Sequence, residues 1–282
     1  MLRLNRKDFV SALTELRHTV AVVDDFPILM CVHFGPAGLT TYDGSVGLRV
    51  PYDLGGLVGC VSFPKLLSWV KKTKGKEIEV KFDGSWALFQ CGKASQVKLG
   101  MLTGWPLERL PAFDAAESVP DDWYEALCVA DRCRGVDIYE SWRLGVTMVA
   151  GKGETKFFAS NNVSMAIGTA TWAATQASGV VQLPTRLLEV MAGLKVSPAT
   201  FAYDDRWLQA TYPDGRTVVG LQTGGKPNIS RFLEVVPDAE WSEPFVELDG
   251  EFADAVGRIC DVHRGEERVR LDVVVGGGGL RL

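Results

Sequence analysis

The chain repeats itself over a long period. Residues 66–86 and 187–207 agree at a constant offset of 121. Leu66-Leu67 answers Leu187-Leu188, Val70 answers Met191, Phe82-Asp83 answers Tyr203-Asp204, and Trp86 answers Trp207. The residues before each copy agree loosely, Cys60-Val61-Ser62-Phe63-Pro64 against Val180-Val181-Gln182-Leu183-Pro184. Each places proline at a helix start, where its missing N–H costs nothing. Such a repeat demands two bodies of one plan.

A second pattern recurs three times: an aromatic residue, two residues, alanine, then an apolar residue. It reads Phe9…Ala12-Leu13, Trp123…Ala126-Leu127 and Phe252…Ala255-Val256, and each opens an amphipathic helix pattern. The spacing predicts units at 1–113, 120–238 and 245–282, the second preceded by an acidic linker, Asp114–Asp122. The third holds one strand, one helix and about two strands, less than half of a copy.

In the first unit the period predicts a strand at Leu2–Leu4 and a helix over Lys7–Val20. Strands follow at Ile28–Phe34, Leu39–Tyr42, Gly47–Pro51 and Leu57–Ser62, then a helix from Pro64 to about Thr73. Three more strands cover Glu77–Phe82, Trp86–Cys91 and Gln96–Leu99. Tyr42-Asp43-Gly44 and Phe82-Asp83-Gly84 carry the Asp-Gly hairpin signal. The fold class is therefore α+β.

Composition bounds the function. With 46% apolar and 23% charged residues the chain has ample core material. No apolar run approaches the ~18–20 residues of a membrane span. Charges at Arg3, Arg6, Lys7 and Asp8 argue against a secretory signal. None of the six cysteines forms a C-x-x-C pair, so buried thiols in a reducing cytosol are expected instead of a metal site. Three scattered histidines, His18, His33 and His263, read as structural. Gly276–Gly279 lacks the Lys-Ser/Thr of a phosphate loop, and no G-x-S-x-G occurs. No active site, cofactor or metal is expected.

The net charge of −5 repels nucleic acid in bulk, so the placement of cations decides. Pro64–Gly75 carries Lys65, Lys71, Lys72 and Lys74 and no acid. Its apolar stripe of Leu66, Leu67, Trp69 and Val70 leaves the lysines mostly on the opposite face. Lys7 and Arg17 lie outward on the first helix, Arg132 and Arg134 end the third, Arg186 lies on the fourth, and Arg258 lies in the last unit. Lysines and arginines also solvate helix faces generally and complement helix C-termini. The sharper reading is a shared helical face offered to DNA phosphates without sequence preference.

These features together resemble the bacterial sliding clamp, the β subunit of DNA polymerase III. The resemblance rests on Leu39-Thr40-Thr41-Tyr42-Asp43-Gly44 with Val46-Gly47-Leu48-Arg49-Val50-Pro51, and on Val61-Ser62-Phe63-Pro64-Lys65-Leu66-Leu67. Two domain-closing segments join them, Trp105-Pro106-Leu107-Glu108-Arg109-Leu110-Pro111 and Ser230-Arg231-Phe232-Leu233-Glu234-Val235-Val236-Pro237. It implies a DNA clamp fold of repeated domains, each with two helices packed on antiparallel sheets, the helices lining a ring. It also implies a non-catalytic processivity factor of the cytoplasm. Its partners would be double-stranded DNA, a DNA polymerase, a clamp loader and further copies of itself in a ring dimer or trimer.

Two departures qualify the resemblance. The family has three full domains, and the third unit here is partial, as in a truncated or divergent member. The family's partner-peptide pocket usually contains Ala-Thr-Asp-Gly-His-Arg-Leu-Ala, and here the stretch is Ala159-Ser160-Asn161-Asn162-Val163-Ser164-Met165-Ala166. Val163, Ser164, Met165 and Pro237 are the residues the resemblance assigns to that pocket. The competing expectation is a clamp-like paralogue that binds polymerase or loader without closing a ring.

Overall fold

The computed structural model describes residues 1–22, 25–106, 113, 116–135, 144–151, 153–161, 165–172 and 179–222, with strand segments at 274–276 and 279–281. The chain forms two compact units, Met1–Pro227 and Asn228–Leu282. The second contributes one described hairpin, Val274–Gly276 paired with Gly279–Arg281.

Within the first unit the plan runs twice. The first copy is β1 (Leu2–Asn5), α1 (Arg6–Leu16), β2 (Cys31–Gly35), β3 (Gly38–Tyr42), β4 (Val46–Val50), β5 (Gly59–Ser62), α2 (Phe63–Lys72), β6 (Glu77–Asp83), β7 (Trp86–Cys91) and β8 (Ser95–Leu102). The second is β9 (Glu117–Ser118), α3 (Trp123–Asp131), β10 (Val146–Ala150), β11 (Thr155–Ser160), β12 (Met165–Ala170), β13 (Gly179–Leu183), α4 (Thr185–Leu194), β14 (Thr200–Tyr203), β15 (Trp207–Thr211) and β16 (Thr217–Leu221). The strands of the first copy pair in the orders β1-β6-β7-β8 and β5-β2-β3-β4. Those of the second pair as β9-β14-β15-β16 and β13-β10-β11-β12, the same two orders with eight added to each number.

The aromatic residue of the recurring pattern anchors each core. Phe9 is fully buried on α1 and packs on Phe34 of β2 with ring centroids 6.3 Å apart. Trp123 is fully buried on α3 and meets Phe157 edge-on at 5.2 Å. Leu66 and Val70 of α2, like Leu187 and Met191 of α4, fill the i, i+4 stripe beneath. Helices therefore cover one face of each sheet pair, and their opposite faces remain free to carry charge.

Three differences from the sequence reading have local causes. The first helix ends at Leu16, not Val20, because the Thr41 hydroxyl donates to the Leu16 carbonyl at 3.0 Å and Arg17–Thr19 tightens into a 3-10 turn. The strand expected from Ile28 begins at Cys31, since Pro27 initiates another 3-10 turn through Met30. The acidic linker contains β9, whose Glu117 and Ser118 pair with Phe201 and Thr200. Only two residues long, β9 has no alternation to read.

Both Asp-Gly hairpins form, with Gly44 at φ +98° and Gly84 at φ +55°, a region glycine enters without penalty. A closer constraint sits at Gly168 of β12. A β-carbon there would lie 1.9 Å from the carbonyl oxygen of Ala126 on α3, so helix and strand touch backbone to backbone. Gly168→Ala is expected to lower stability by about 1–3 kcal/mol through overpacking, read as a lower urea midpoint at unchanged slope.

Candidate nucleic-acid interface

The N-terminus of α1 and the C-terminus of α2 meet through Arg6. Its guanidinium donates to the Val70 carbonyl at 3.2 Å, the Thr73 hydroxyl at 3.1 Å and the Lys71 carbonyl at 3.3 Å. These carbonyls are acceptors left open at a helix end, and a cation there also complements the dipole. The Arg6 amide donates to the Lys76 carbonyl at 2.9 Å. The clasp gathers exposed Lys7, Lys71, Lys72 and Lys74 at one end of the helix pair. Sequence reading missed Arg6, because a cation that opens one helix and bonds residues 64 to 67 positions further on gives no local signal.

The α2 lysines divide in two. Lys65 and Lys72, with Ser68 and Trp69, line a groove of about 1030 Å³ between α2 and β8, whereas Lys71 and Lys74 do not. Arg17 and Arg132 are exposed. Arg134 is half-buried, paired to Asp131 at 3.5 Å and donating to the Thr185 carbonyl at 3.4 Å. Arg186 is engaged between the copies, as described below. Met165 opens β12 half-buried, paired with Ser160. Arg258, Val163, Ser164 and Pro237 lie outside the described residues.

The two copies are unequal in charge. Lys7 on α1 and Arg17 just after it align with Asp121 and Asp131 around α3, and Lys71 and Lys72 align with Ala192 and Gly193 on α4. The described cationic surface therefore belongs mainly to the first copy.

The copies are joined by backbone. Strand β4 pairs antiparallel with β16, Val46 opposite Gly220, Gly47 opposite Val219, Leu48 opposite Val218 and Arg49 opposite Thr217. The eight strands from β5 to β9 thus form a continuous sheet across the copy boundary. Side chains reinforce it. Arg186 of α4 pairs with Asp43 of the β3–β4 turn at 2.9 Å and also donates to the His18 carbonyl. Glu15 of α1 pairs with Arg216 at 3.3 Å. Trp207 packs beside Tyr42, ring centroids 6.5 Å apart. Burial, reinforced by Asp43, pushes the Tyr42 phenol up to about 12, so it remains a donor, bonding the Gly44 carbonyl at 2.7 Å.

Bacterial DNA polymerase clamps of known structure share this architecture. The chain superposes on a Bacillus subtilis DNA polymerase sliding clamp with TM-score 0.72 at 15% identity, covering 96% of this chain and 75% of that one. A Helicobacter pylori β clamp bound to a DNA ligase peptide gives 0.69 at 16% identity, covering 82% and 69%. A Pseudomonas aeruginosa clamp bound to griselimycin gives 0.64 at 17%, covering 82% and 66%. The chain has the fold of the bacterial β sliding clamps. No family model and no curated protein matches it by sequence. The clamp fold supplies the two-helix, two-sheet body and the sheet that runs between bodies.

The repeat aligns Lys65 with Arg186. Arg186→Met removes the partner of an Asp43 carboxylate only 10% exposed, although Arg186 itself stays 42% exposed. A cost of about 1–2 kcal/mol is therefore expected, against less than about 0.5 kcal/mol for Lys65→Met. Urea unfolding of the two variants in dilute solution checks the contrast.

Proposed function

We propose that this chain is a sliding clamp: it encircles duplex DNA, tethers a DNA polymerase, and performs no chemistry. One observation carries the reading. The junction between the copies has a matched, unfilled counterpart at the far side of the first copy. Register sets β8 beside β16, because Trp86 faces Gly100 as Trp207 faces Leu221. The four β16 residues that receive β4 correspond to Gln96, Val97, Lys98 and Leu99. Only Met101 and Leu102 of β8 bridge to β5, so among the described residues Ser95–Gly100 keep an open edge. Trp86, the counterpart of Trp207, is 45% exposed, with the Lys98 ammonium 4.4 Å from its ring centre. Lys65, the counterpart of Arg186, lines the groove beside it.

A body presenting a β4-like strand, an aromatic residue and an acid fits that edge as β4, Tyr42 and Asp43 fit β16. Such a contact is head-to-tail, and closure into a ring keeps it from propagating as a filament. On this reading Lys65 belongs to closure. Lys7, Arg17, Lys71, Lys72, Lys74 and Arg132 face phosphate, and Arg258 is assigned with them from the sequence. Arg134 and Arg186 hold the body together. A ring retains DNA by topology, so a few salt-sensitive phosphate contacts suffice. Polymerase and clamp loader are the proposed protein partners, and Val163, Ser164, Met165 and Pro237 are assigned to partner binding by the family resemblance of the sequence alone.

Retention on DNA tests the reading. Loaded on nicked circular duplex, the protein is expected to stay bound and to leave once the circle is linearised. Lys71→Glu with Lys72→Glu is expected to weaken association and flatten its dependence on salt. Equal retention on circular and linear DNA would contradict enclosure.

A further inference from the structure

On the face of the sheet turned away from the helices lies a row of side chains unrelated to the charge described above. Cys60, His33, Thr40, Arg49 and Thr217 are successive cross-strand neighbours on β5, β2, β3, β4 and β16. Leu48 and Val50, on either side of Arg49, are buried in the core, so Arg49 points outward by the alternation of the strand. Trp105 lies flat on His33, ring centroids 5.2 Å apart and planes 10° from parallel. Beneath this stack is a cavity of about 210 Å³, lined by His33, Thr40, Arg49, Trp105 and the β2–β3 hairpin.

Arg49 differs from the comparable arginines. Five described arginines are half-buried: Arg6, Arg49, Arg134, Arg186 and Arg216. Arg6 bonds carbonyls and a hydroxyl, and the other three have carboxylates within 3.5 Å. Arg49 makes no hydrogen bond or ion pair among the described residues. Burial lowers its proton affinity, the mark of a desolvated charge without compensation. Thr40 and Thr217, both buried, flank it with hydroxyl groups that form no hydrogen bond among the described residues. A guanidinium in such a place has five donors in a planar fork and no acceptor.

We propose that this cavity binds a small oxyanion, a carboxylate or phosphate group, on the Arg49 fork with the Thr40 hydroxyl as a second donor. The Arg49 geometry suits a two-oxygen contact, and the flanking hydroxyls and the indole wall limit the occupant to a compact group. The site is independent of DNA enclosure, since it lies on the opposite face of the sheet from α1 and α2.

The test is a titration of the ¹⁵N-labelled full chain with inorganic phosphate and, separately, acetate, at ionic strength matched with chloride. The Trp105 indole N–H, assigned by its loss in Trp105→Phe, is the probe. The expected result is a saturable shift with at least one anion, and the tighter of the two identifies the class. Arg49→Met should abolish it with the remaining spectrum folded. Arg49→Lys, which keeps the charge but not the fork, should weaken binding several-fold. Lys71→Glu with Lys72→Glu should leave it intact. A linear, non-saturating response, equal affinity in Arg49→Lys, or loss of the shift only in the lysine variant would overturn the proposal.

Discussion

The pairing of β4 with β16 is the interaction on which the rest of the molecule depends. It joins two copies of one domain plan through one twelve-stranded sheet, and it does so through backbone hydrogen bonds that any sequence can make. Specificity comes from what surrounds those bonds: Arg186 with Asp43, Arg216 with Glu15, and Trp207 beside Tyr42. A junction built from a repeated strand has a further consequence. The counterpart of β16 in the first copy, β8, carries the same register on its β7 side and borders a groove beside α2, and its outer edge is open over Ser95–Gly100 among the described residues. An unpaired strand edge of this kind is a template for another strand.

This division of labour changes the meaning of the basic residues. The cations are not one population facing one ligand. Arg6 closes the end of α2, Arg134 and Arg186 lock the second copy, and Lys65 lies at the open edge. Lys7, Arg17, Lys71, Lys72, Lys74 and Arg132 are left exposed on or at the ends of the helices. An acidic chain with a local basic strip attracts a polyanion only there, and a weak attraction is compatible with sliding. Arg49, on the other side of the sheet, is a separate matter: a half-buried charge with no partner among the described residues.

Much of this was legible in the sequence because the long repeat imposes it. The offset of 121 located both later helices and the Leu66/Leu187 core positions, the Asp-Gly dipeptides located the two hairpin turns of the first copy, and the recurring aromatic-alanine pattern marked the helices that carry Phe9 and Trp123. The same offset aligns Lys65 with Arg186, so a junction role for either could have been suspected. What escaped depends on contacts between distant segments. Arg186 reads as one more surface cation until Asp43, 143 residues away, is brought to 2.9 Å. β9 is too short to show a period, and the 3-10 turns at Arg17–Thr19 and Pro27–Met30 replace regular structure where Thr41 and Pro27 intervene. Arg49 alternates correctly as an outward strand residue, and nothing in the sequence says that its outward side is covered.

The central claim is that the β8 edge receives, from another clamp body, the strand that β16 receives from β4. Amide hydrogen exchange of Gln96–Leu99, followed across a dilution series of the intact protein, measures it most directly. The account predicts that the two outward amides, Gln96 and Lys98, exchange freely in dilute solution and become protected as copies associate, while Val97 and Leu99, whose amides face β7, and Thr217–Gly220 stay protected throughout. Exchange at Gln96 and Lys98 that is fast and indifferent to concentration, in protein that nonetheless associates, would contradict it.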